Sequence, residues 1–410
     1  MKVLFISTLY PPHVIGGAEK AASQLAEALV RSGHEVAVVS LYPGANEIIE
    51  DRNGVRVYRL PIDNFYWPFG RKQKPKALFR LAWHIRDMWN HKAAERVGRI
   101  LDIESPDAVH THCIAGFSLS VWGEVKKRKL RLVHTLYDYY LLCSRSSLFR
   151  NGSNCEQRCL DCALLTSSKR RLSHLPDSII SVSRHTLDAH LRNHCFAGRR
   201  TTVIYNISDL ARIADQQRSG VDRDADNLVF GFIGKIEEAK GIETLLSATT
   251  RLRLPNWKLR IAGTGLEGYV QGLSKRFADP RITWLGFTDA AEFYSSVDVV
   301  VIPSMWADPL PLVCVEGLHT GKALICAESG GIPEIARLAE VAEFFPAGDA
   351  NALAEKMNLA LMSPQRWREG GVRSPSALDA FKEDHVVEKY LAEYAFRSEE
   401  VPSSAHGGTN

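Results

Sequence analysis

Glycines and lysines recur in this sequence where a short apolar run gives way to a helical pattern. Gly16 and Gly17 follow the run at 3–6, and Lys235 and Lys240 follow a second run further along the chain. Glycine lets the backbone approach a bound group closely. Helix N-termini offer unpaired N–H groups to an anion, and ammonium groups complement two phosphate charges. The spacing therefore predicts diphosphate or sugar binding at these junctions; ordinary turns and solvated surface lysines are the alternatives.

Two carboxylates frame a proline-containing segment in the second half. Asp308 and Glu316 are separated by seven residues, among them Leu310, Pro311 and Leu312. Because proline is tolerated in a first helical turn, we expect a helix to begin near Leu310 and to offer free N–H groups to phosphate oxygens. Asp308 would precede the helix and Glu316 would lie about two turns along it, so the two carboxylates could bind different hydroxyl groups of one ligand. A capping Asp and a surface Glu are the alternative.

Short β-branched runs alternate with longer helical patterns, which is typical of α/β layers on a parallel sheet. Strands are expected near 3–6, 36–39, 55–60, 108–112, 132–136, 179–182, 228–233, 259–262, 282–284, 299–302 and 323–326. The sequence predicts a Rossmann-like domain over 1–208 and a second over 209–385. It also predicts a helix over 386–400 that returns to the first domain, and a disordered tail over 401–410.

Length and composition exclude several protein classes. The chain has 410 residues, of which 45% are hydrophobic, and 51 Lys and Arg stand against 47 Asp and Glu. That balance does not fit a dedicated nucleic-acid binder, and no run approaches the roughly 18 apolar residues of a membrane span. Residues 1–210 hold 30 basic and 19 acidic side chains, and the remainder is acidic, which predicts different partners for the two halves. Eight cysteines are too few for a disulfide scaffold, so we expect a cytoplasmic protein with mostly reduced thiols.

The order and spacing of these motifs resemble those of the retaining family 4 glycosyltransferases, and the resemblance covers nearly the whole chain. The matching motifs are Gly16-Gly17-Ala-Glu19, His110-Thr-His112, Gly234-Lys235, Lys240-Gly241, Gly263-Thr-Gly265, Trp284-Leu-Gly286-Phe287, Ile302-Pro-Ser304, Asp308-x7-Glu316 and Gly330-Gly331-Ile-Pro333-Glu334. The resemblance implies the glycosyltransferase-B fold, in which two Rossmann-like domains face a cleft. It also implies transfer of a sugar from a nucleotide-diphosphate donor with retained anomeric configuration and no catalytic cofactor.

The resemblance further implies a donor-binding set and a catalytic pair. The donor-binding residues would be Gly16, Gly17, Lys235, Lys240, Gly263, Phe287, Leu310, Pro311, Leu312 and Glu316. Within this set, the two lysines would hold the diphosphate, Glu316 the ribose, and the backbone near Phe287 the base. The catalytic pair would be Asp308, which would bind the transferred sugar, and His112, which would lie beside that sugar on the amino-domain side. For His112 a purely structural role is the alternative.

Three positions depart from the family pattern. The family more often has Arg at position 235 and Glu at position 308, and many relatives have His-Asp where this chain has Tyr137-Asp138. Lys keeps the charge of Arg but not its bidentate fork, and Asp is one methylene shorter than Glu. These departures bear on sugar identity and rate rather than on the fold. Two other functions therefore stay open: a nucleotide-sugar epimerase of the same fold, and a donor-binding protein without catalysis.

Four cysteines, Cys143, Cys155, Cys159 and Cys162, fall within twenty residues in a segment rich in Ser, Asn and Gly. Four thiolates could hold one tetrahedral zinc ion, which would order a loop that lacks a core of its own. Such a metal would be structural. Unligated cysteines are the alternative, because the spacing is irregular for a zinc ribbon.

Aromatic and basic residues interleave over 65–99. The aromatic residues are Phe65, Tyr66, Trp67, Phe69, Phe79, Trp83 and Trp89, and the cations are Arg71, Lys72, Lys74, Lys76, Arg80 and Arg86. Rings beside cations suit the headgroup edge of an anionic membrane. With the basic first half, this predicts peripheral contact with the inner face of the membrane and a lipid-linked or other glycan acceptor, as in envelope polysaccharide or glycoconjugate synthesis. An amphipathic helix whose aromatics pack into the core is the alternative.

Overall fold

The computed structural model describes residues 1–70, 75–208 and 224–396. Residues 209–223, the predicted tail and the cations Arg71, Lys72 and Lys74 lie outside the described residues. Within the described ranges, the chain builds two large parallel sheets with a hydrophobic cluster on each face. The predicted fold class, two doubly wound α/β domains, is confirmed.

The first domain contains an eight-stranded sheet and a separate two-stranded hairpin. Its strands are β1 (Lys2–Ser7), β2 (Glu35–Tyr42), β3 (Ile48–Arg52), β4 (Val55–Pro61), β5 (Ala108–Thr111), β6 (Arg131–Leu136), the hairpin strands β7 (Phe149–Arg150) and β8 (Ser153–Asn154), β9 (Ser178–Ser181) and β10 (Arg200–Val203). Its helices are α1 (Gly17–Arg31), α2 (Ala77–Met88), α3 (His91–Glu104), α4 (Ser120–Lys127), α5 (Leu160–Leu165), α6 (Ser167–Leu172) and α7 (Arg184–Arg192). The strand order is β10-β9-β6-β5-β1-β2-β4-β3, and only β3 runs antiparallel to its neighbour.

The second domain contains a six-stranded sheet that is parallel throughout. Its strands are β11 (Leu228–Ile233), β12 (Trp257–Ala262), β13 (Ile282–Gly286), β14 (Val299–Ile302), β15 (Ala323–Ala327) and β16 (Ala342–Phe345), in the order β13-β12-β11-β14-β15-β16. The helices are α8 (Ile242–Thr249), α9 (Glu267–Arg276), α10 (Ala290–Ser295), α11 (Leu312–His319), α12 (Ile332–Ala336), α13 (Ala350–Met362), α14 (Pro364–Glu369) and α15 (Glu383–Ala395), with 3₁₀ turns at Glu238–Lys240 and Pro375–Phe381.

The first strand of each domain is buried on both faces, which explains its uninterrupted apolar sequence. In β1, Leu4 and Ile6 belong to one hydrophobic cluster, and Val3 and Phe5 belong to the cluster on the opposite face. Strands β1 and β11 each lie where the strand order of their sheet reverses. In open parallel sheets, ligands bind beyond the carboxyl ends of the strands at that reversal. The topology therefore directs the junctions after β1 and β11 toward a binding crevice.

Helix α15 leaves the second domain and packs on the first. Tyr390 and Tyr394 join the cluster beneath β1, and the Tyr394 hydroxyl lies 2.8 Å from His110 Nδ1. At the start of the helix, Glu383 forms an ion pair with Arg31 at 2.6 Å. The chain thus returns to the first domain after it has formed the second, and α15 joins the two domains.

Two details of local structure differ from the sequence expectation. The helix expected near Leu310 begins at Leu312, because Pro311 keeps an extended backbone and serves as the N-cap residue. Strand β3 was not expected, because its two isoleucines are exposed and precede three charged residues, and β10, β16 and the hairpin β7–β8 were not expected either. None of the helices in the described ranges has both the length and the apolar content that crossing a bilayer requires.

Candidate active site

A cavity of about 640 Å³ lies between the two domains at the carboxyl ends of their central strands. The loops after β1, β5, β6 and β9 line it from the first domain, and the loops after β11 and β14 line it from the second. The predicted site residues among its walls are Gly16, Gly17, Lys235, Lys240, Asp308, Leu310, Pro311 and Leu312. The fold therefore brings together residues that lie almost 300 positions apart in the chain.

The helices α1 and α11 both begin at this cavity. The Glu19 carboxylate accepts the Gly16 N–H at 2.9 Å and fixes the turn that leads into α1. A Cβ atom at Gly17 would lie 3.3 Å from the Leu312 side chain, so the missing side chain allows the two domains to approach closely here. Two helix N-termini with free N–H groups therefore face one space, an arrangement that favours an anion.

Lys240 is the best-positioned cation in the cavity. Its ammonium group lies 2.5 Å from Asp308 Oδ2 and 4.9 Å from the centre of the Trp306 ring. The adjacent Gly241 has φ +71°, and a Cβ atom there would lie 1.8 Å from the Pro303 carbonyl oxygen. Only glycine permits this packing, which holds the lysine against the loop that carries Asp308.

Lys235 is more exposed than Lys240 and is paired locally. Its ammonium group lies 2.5 Å from Glu237, and the side chain is 69% exposed. It lines the mouth of the cavity and keeps the freedom to turn toward a ligand.

Glu316 lies on the second turn of α11, behind the residues that line the cavity. The Tyr294 hydroxyl donates to Glu316 Oε2 at 2.9 Å. Burial raises the pKa of Glu316, and the Tyr294 hydrogen bond and the Lys20 ammonium of the first domain act in the opposite direction.

Gly263 and Phe287 also lie outside the cavity walls. Gly263 follows β12, and its N–H donates to the carbonyl of Gly286 at the end of β13, at 2.7 Å. Both strands lie to one side of β11, whose end lines the cavity. The Phe287 side chain is 89% exposed. The predicted contacts of these residues with a donor remain predictions.

His112 is enclosed rather than presented to the cavity. The side chain is 1% exposed, and neither ring nitrogen has a hydrogen-bond partner among the described residues. The Tyr137 ring stacks beside it at 5.7 Å, and Tyr137 itself lines the cavity. Burial lowers the pKa of His112 to about 3, so the ring is neutral at physiological pH. The structure thus places Tyr137 rather than His112 on the cavity wall, and the catalytic role of His112 stays a prediction.

Asp138 is a cavity residue whose role the sequence motifs did not assign. It follows the last residues of β6, and its half-buried carboxyl accepts the Tyr140 N–H at 2.8 Å and faces the Cys113 thiol at 3.8 Å. Burial raises its pKa to about 6. The sequence signal that could have indicated Asp138 was its position at the end of a predicted strand, next to Tyr137, where the chain departs from the family pattern.

The four cysteines come together around the start of α5. The sulfur atoms of Cys143 and Cys162 lie 3.7 Å apart, and burial together with the neighbouring Cys159 raises the pKa of the Cys155 thiol to about 11. The ligand atoms of Cys159, Asp161 and Cys162 all lie within 4.8 Å of one another. The Arg145 N–H also donates to the Cys143 sulfur, at 3.4 Å. The sequence cluster is therefore a spatial cluster.

The interleaved aromatic residues divide between the core and the surface. Trp83 is buried, and Trp67 and Phe69 pack against the first-domain core. Phe65, Phe79 and Trp89 are exposed. The core-packing interpretation thus holds for Trp83, Trp67 and Phe69, and membrane contact through the exposed rings stays a prediction.

Comparison with known proteins agrees with this geometry. The glycosyl transferase 4-like domain matches residues 16–206, and the glycosyl transferases group 1 domain matches residues 214–371. A protein described as an uncharacterised 42.6 kDa protein in the cps region of Klebsiella pneumoniae is 32% identical over 339 residues, which span 82% of this chain and 88% of that protein.

Two solved structures share the fold at low sequence identity. Sucrose-phosphate synthase from Thermosynechococcus elongatus superposes with a TM-score of 0.73 at 21% identity, covering 96% of this chain and 98% of that one. Anabaena HepE, solved in complex with UDP and glucose, superposes with a TM-score of 0.65 at 20% identity, covering 95% of this chain and 98% of that one.

The fold and the interdomain cavity thus define a glycosyltransferase of the glycosyltransferase-B class. The chain belongs to the family 4 glycosyltransferases, whose retaining mechanism fits this architecture. It transfers a sugar from a nucleotide-sugar donor, and this assignment replaces the alternatives of an epimerase and of a donor-binding protein without catalysis.

The raised pKa of Asp138 makes a pH-dependent prediction. Because its pKa lies at about 6 in the folded protein against an ordinary 3.8, its ionisation favours unfolding, and stability is lost as pH rises through this window. Asp138→Asn keeps the acceptor for the Tyr140 N–H and removes the charge. The melting temperature of the variant should therefore gain a few degrees on wild type between pH 4.5 and 7.5.

The measurement is the difference in melting temperature between the variant and wild type at each pH. This difference isolates Asp138, because buried Asp87 also has a pKa raised to about 6 and titrates in both proteins. A difference that stays constant over this pH range would show that the carboxyl of Asp138 is as well solvated as in the unfolded chain.

Proposed function

We propose that the donor diphosphate binds between the N-termini of α1 and α11, with Lys240 and Lys235 as its counter-charges. The observation that carries this assignment is the position of Lys240, held in the cavity by Gly241 and facing both Asp308 and Trp306. The HepE structure contains UDP and glucose, which supports a nucleoside-diphosphate donor for this chain. Gly16 and Gly17 would approach the diphosphate from the first domain.

Other predicted donor contacts complete this proposal. Glu316 would bind the ribose after rotating away from Tyr294, and the backbone near Phe287 would receive the base. Asp308 would bind a hydroxyl of the transferred sugar once the diphosphate has taken its place at Lys240. His112 would act through Tyr137, which it supports from below.

The proposed reaction is a front-face substitution. The bond between the anomeric carbon and the leaving phosphate oxygen breaks while a bond from an acceptor hydroxyl oxygen forms on the same face. The acceptor proton passes to the leaving phosphate, and the nucleoside diphosphate departs. Negative charge grows on that phosphate, so preorganised ammonium and N–H groups stabilise the transition state more than the ground state. Closure of the two domains on the donor would exclude water that would otherwise hydrolyse it.

Lys240→Ala should reduce kcat/KM for a verified nucleotide-sugar donor by about 100-fold or more, because it removes the principal counter-charge of the leaving group. Glu316→Ala should have a comparable effect through the ribose. Lys382→Ala is the matched control, since that lysine is 61% exposed and pairs with Asp379 outside the cavity. Transfer by the Lys240 variant near the wild-type rate would refute the donor site.

For the acceptor, we propose a lipid-linked glycan presented at the inner face of a membrane. Helix α2 exposes an apolar stripe in which Leu78 is 75%, Leu81 46% and Ile85 56% exposed. Helix α5 packs beside α2 and adds Leu160 and Leu164, which are 91% and 76% exposed. Contiguous exposed apolar side chains of this size mark a binding surface rather than ordinary solvent exposure.

Charge favours a lipid surface as the occupant of this apolar surface. Arg80 is exposed on α2, and Lys76 precedes the helix. Cations beside exposed apolar rings and leucines match an anionic headgroup layer. A polymerised glycan acceptor free in solution would need neither the leucines nor the cations. This surface is therefore the observation that favours the lipid-linked acceptor.

Replacing both Leu78 and Ile85 with Ser should weaken binding to phosphatidylcholine vesicles containing phosphatidylglycerol by about tenfold or more, because two side chains lose their burial. Co-sedimentation measures the effect, and the melting temperature should not fall. Met362→Ser is the control, as that residue is equally exposed on the second domain. Equal binding of wild type and the double variant would refute the membrane surface.

We also propose that the four clustered cysteines bind one structural zinc ion. A tetrahedral site with zinc–sulfur bonds of about 2.3 Å separates its sulfur atoms by about 3.8 Å. The 3.7 Å between Cys143 and Cys162 supports such a site, as does the N–H of Arg145 directed at sulfur. Cys155 and Cys159 would move toward these two sulfur atoms to complete the tetrahedron. The ion would order a segment whose strands and helices are too short to be stable alone.

Protein purified from cells grown with zinc should contain about one zinc per chain by elemental analysis, because thiolates retain zinc tightly. Cys162→Ser should lose most of it, and Cys195→Ala should keep it, since Cys195 is buried elsewhere. Wild-type protein without metal, or with the four thiols paired as disulfides, would refute the zinc site.

A further inference from the structure

The loop at 304–308 joins the second-domain sheet to the proposed donor site. The N–H groups of Met305 and Trp306 both donate to the Ala239 carbonyl at 3.0 Å, next to Lys240. Trp306 supplies the ring beside the Lys240 ammonium, and Asp308 supplies its counter-ion. The conformation of this short loop therefore sets the position of the charged groups that face the diphosphate.

The first-domain hairpin β7–β8 contacts this loop from the opposite side of the interdomain space. The Asn154 side-chain amide donates to the Met305 carbonyl at 2.7 Å and accepts the Ala307 N–H at 2.8 Å. One side chain thus satisfies a backbone donor and a backbone acceptor two residues apart. The two bonds restrain the backbone between Met305 and Ala307 in one conformation.

Two further contacts from the first domain support the same loop. The Trp306 indole N–H donates to the Ser147 carbonyl at 2.7 Å, and the Tyr139 hydroxyl donates to the Ala307 carbonyl at 2.9 Å. The hairpin turn also reaches the neighbouring 3₁₀ turn, because a Cβ atom at Gly152 would lie 3.0 Å from Glu238 Oε1. The two hydrogen bonds join residues 159 and 168 positions apart, and the donor-binding motifs include none of the first-domain partners.

We propose that the hairpin β7–β8 is a latch for the 304–308 loop, with Asn154 as its positioning residue. The latch holds Trp306 and Asp308 where Lys240 meets the diphosphate, so the hairpin controls donor affinity through the loop without touching the donor. Asn154 is absent from the cavity walls and acts only through the loop. The proposal rests on the donor site proposed above and adds a positioning element to it.

The test compares Asn154→Ala with Ser153→Ala. Ser153 is exposed on the same strand, and its hydroxyl reaches only the Arg150 carbonyl at 3.3 Å, so its variant should match wild type. UDP, GDP and ADP are titrated into wild type, and the tightest binder is the probe. Loss of two backbone-directed hydrogen bonds should weaken its binding by Asn154→Ala about tenfold. The donor KM should rise similarly and kcat should change by less than about threefold, because the chemistry of the bound donor is unaltered.

A double-mutant cycle with Trp306→Phe separates the latch from a general loss of structure. If both residues act through one loop conformation, their effects on binding are strongly non-additive. The melting temperature of Asn154→Ala should stay near that of wild type, because the side chain is exposed. Unchanged binding of the probe by Asn154→Ala, or additive effects in the cycle, would overturn the latch.

Lys240→Ala in the same titration distinguishes the two possible failures. If it abolishes binding of the probe while Asn154→Ala does not weaken it, the latch is wrong and the donor site stands. If neither variant affects binding, the donor site itself is wrong.

Discussion

The ion pair between Lys240 and Asp308 is the interaction around which the proposed site is organised. Their side chains are 26% and 14% exposed, so an unpaired ammonium here would lose much of its hydration without compensation. Asp308 supplies that compensation while no donor is bound. In the proposed mechanism, the diphosphate replaces Asp308 at Lys240 and frees its carboxylate for a sugar hydroxyl. Phosphate binding and sugar recognition would then be coupled through one exchange of partners.

This exchange explains why a lysine in this position needs rigid surroundings. A flexible ammonium could follow the phosphate in any direction, whereas Gly241 and the 304–308 loop confine Lys240 to one approach. Stabilisation of a leaving group depends on charges that are in place before the reaction begins. The close packing around a positive φ at Gly241 is therefore as important to the proposed chemistry as the charge that it positions.

The parts of the site that could be predicted from the sequence are those that depend on local order. A strand end followed by a helix start places Gly17, Lys240 and Leu312 at the carboxyl edge of their sheets, where ligands bind in parallel sheets, so the motifs sufficed. The start of α11 was displaced by two residues, because the sequence does not reveal whether a proline caps a helix or occupies its first turn.

The rest depends on contacts that no local pattern encodes. Asn154 accepts a hydrogen bond from Ala307, which lies 153 positions away in the chain. A strand of two residues has no hydrophobic periodicity from which this contact could be predicted. Along α2, Trp83 turns inward and Phe79 outward because of what packs against the helix, not because of their residue type. The burial of His112 under Tyr137 likewise follows from packing between strands.

The segment between β6 and β9 contributes to three of the proposed features. It contains the cysteine cluster, it presents Leu160 and Leu164 beside α2, and its hairpin holds the 304–308 loop. Its elements are two to six residues long, and structures of that length are not stable in isolation. A cross-link that fixes the cluster would therefore fix the apolar surface and the latch together, since neither has a core of its own. The geometry of the donor site would then depend on thiols that never contact the donor.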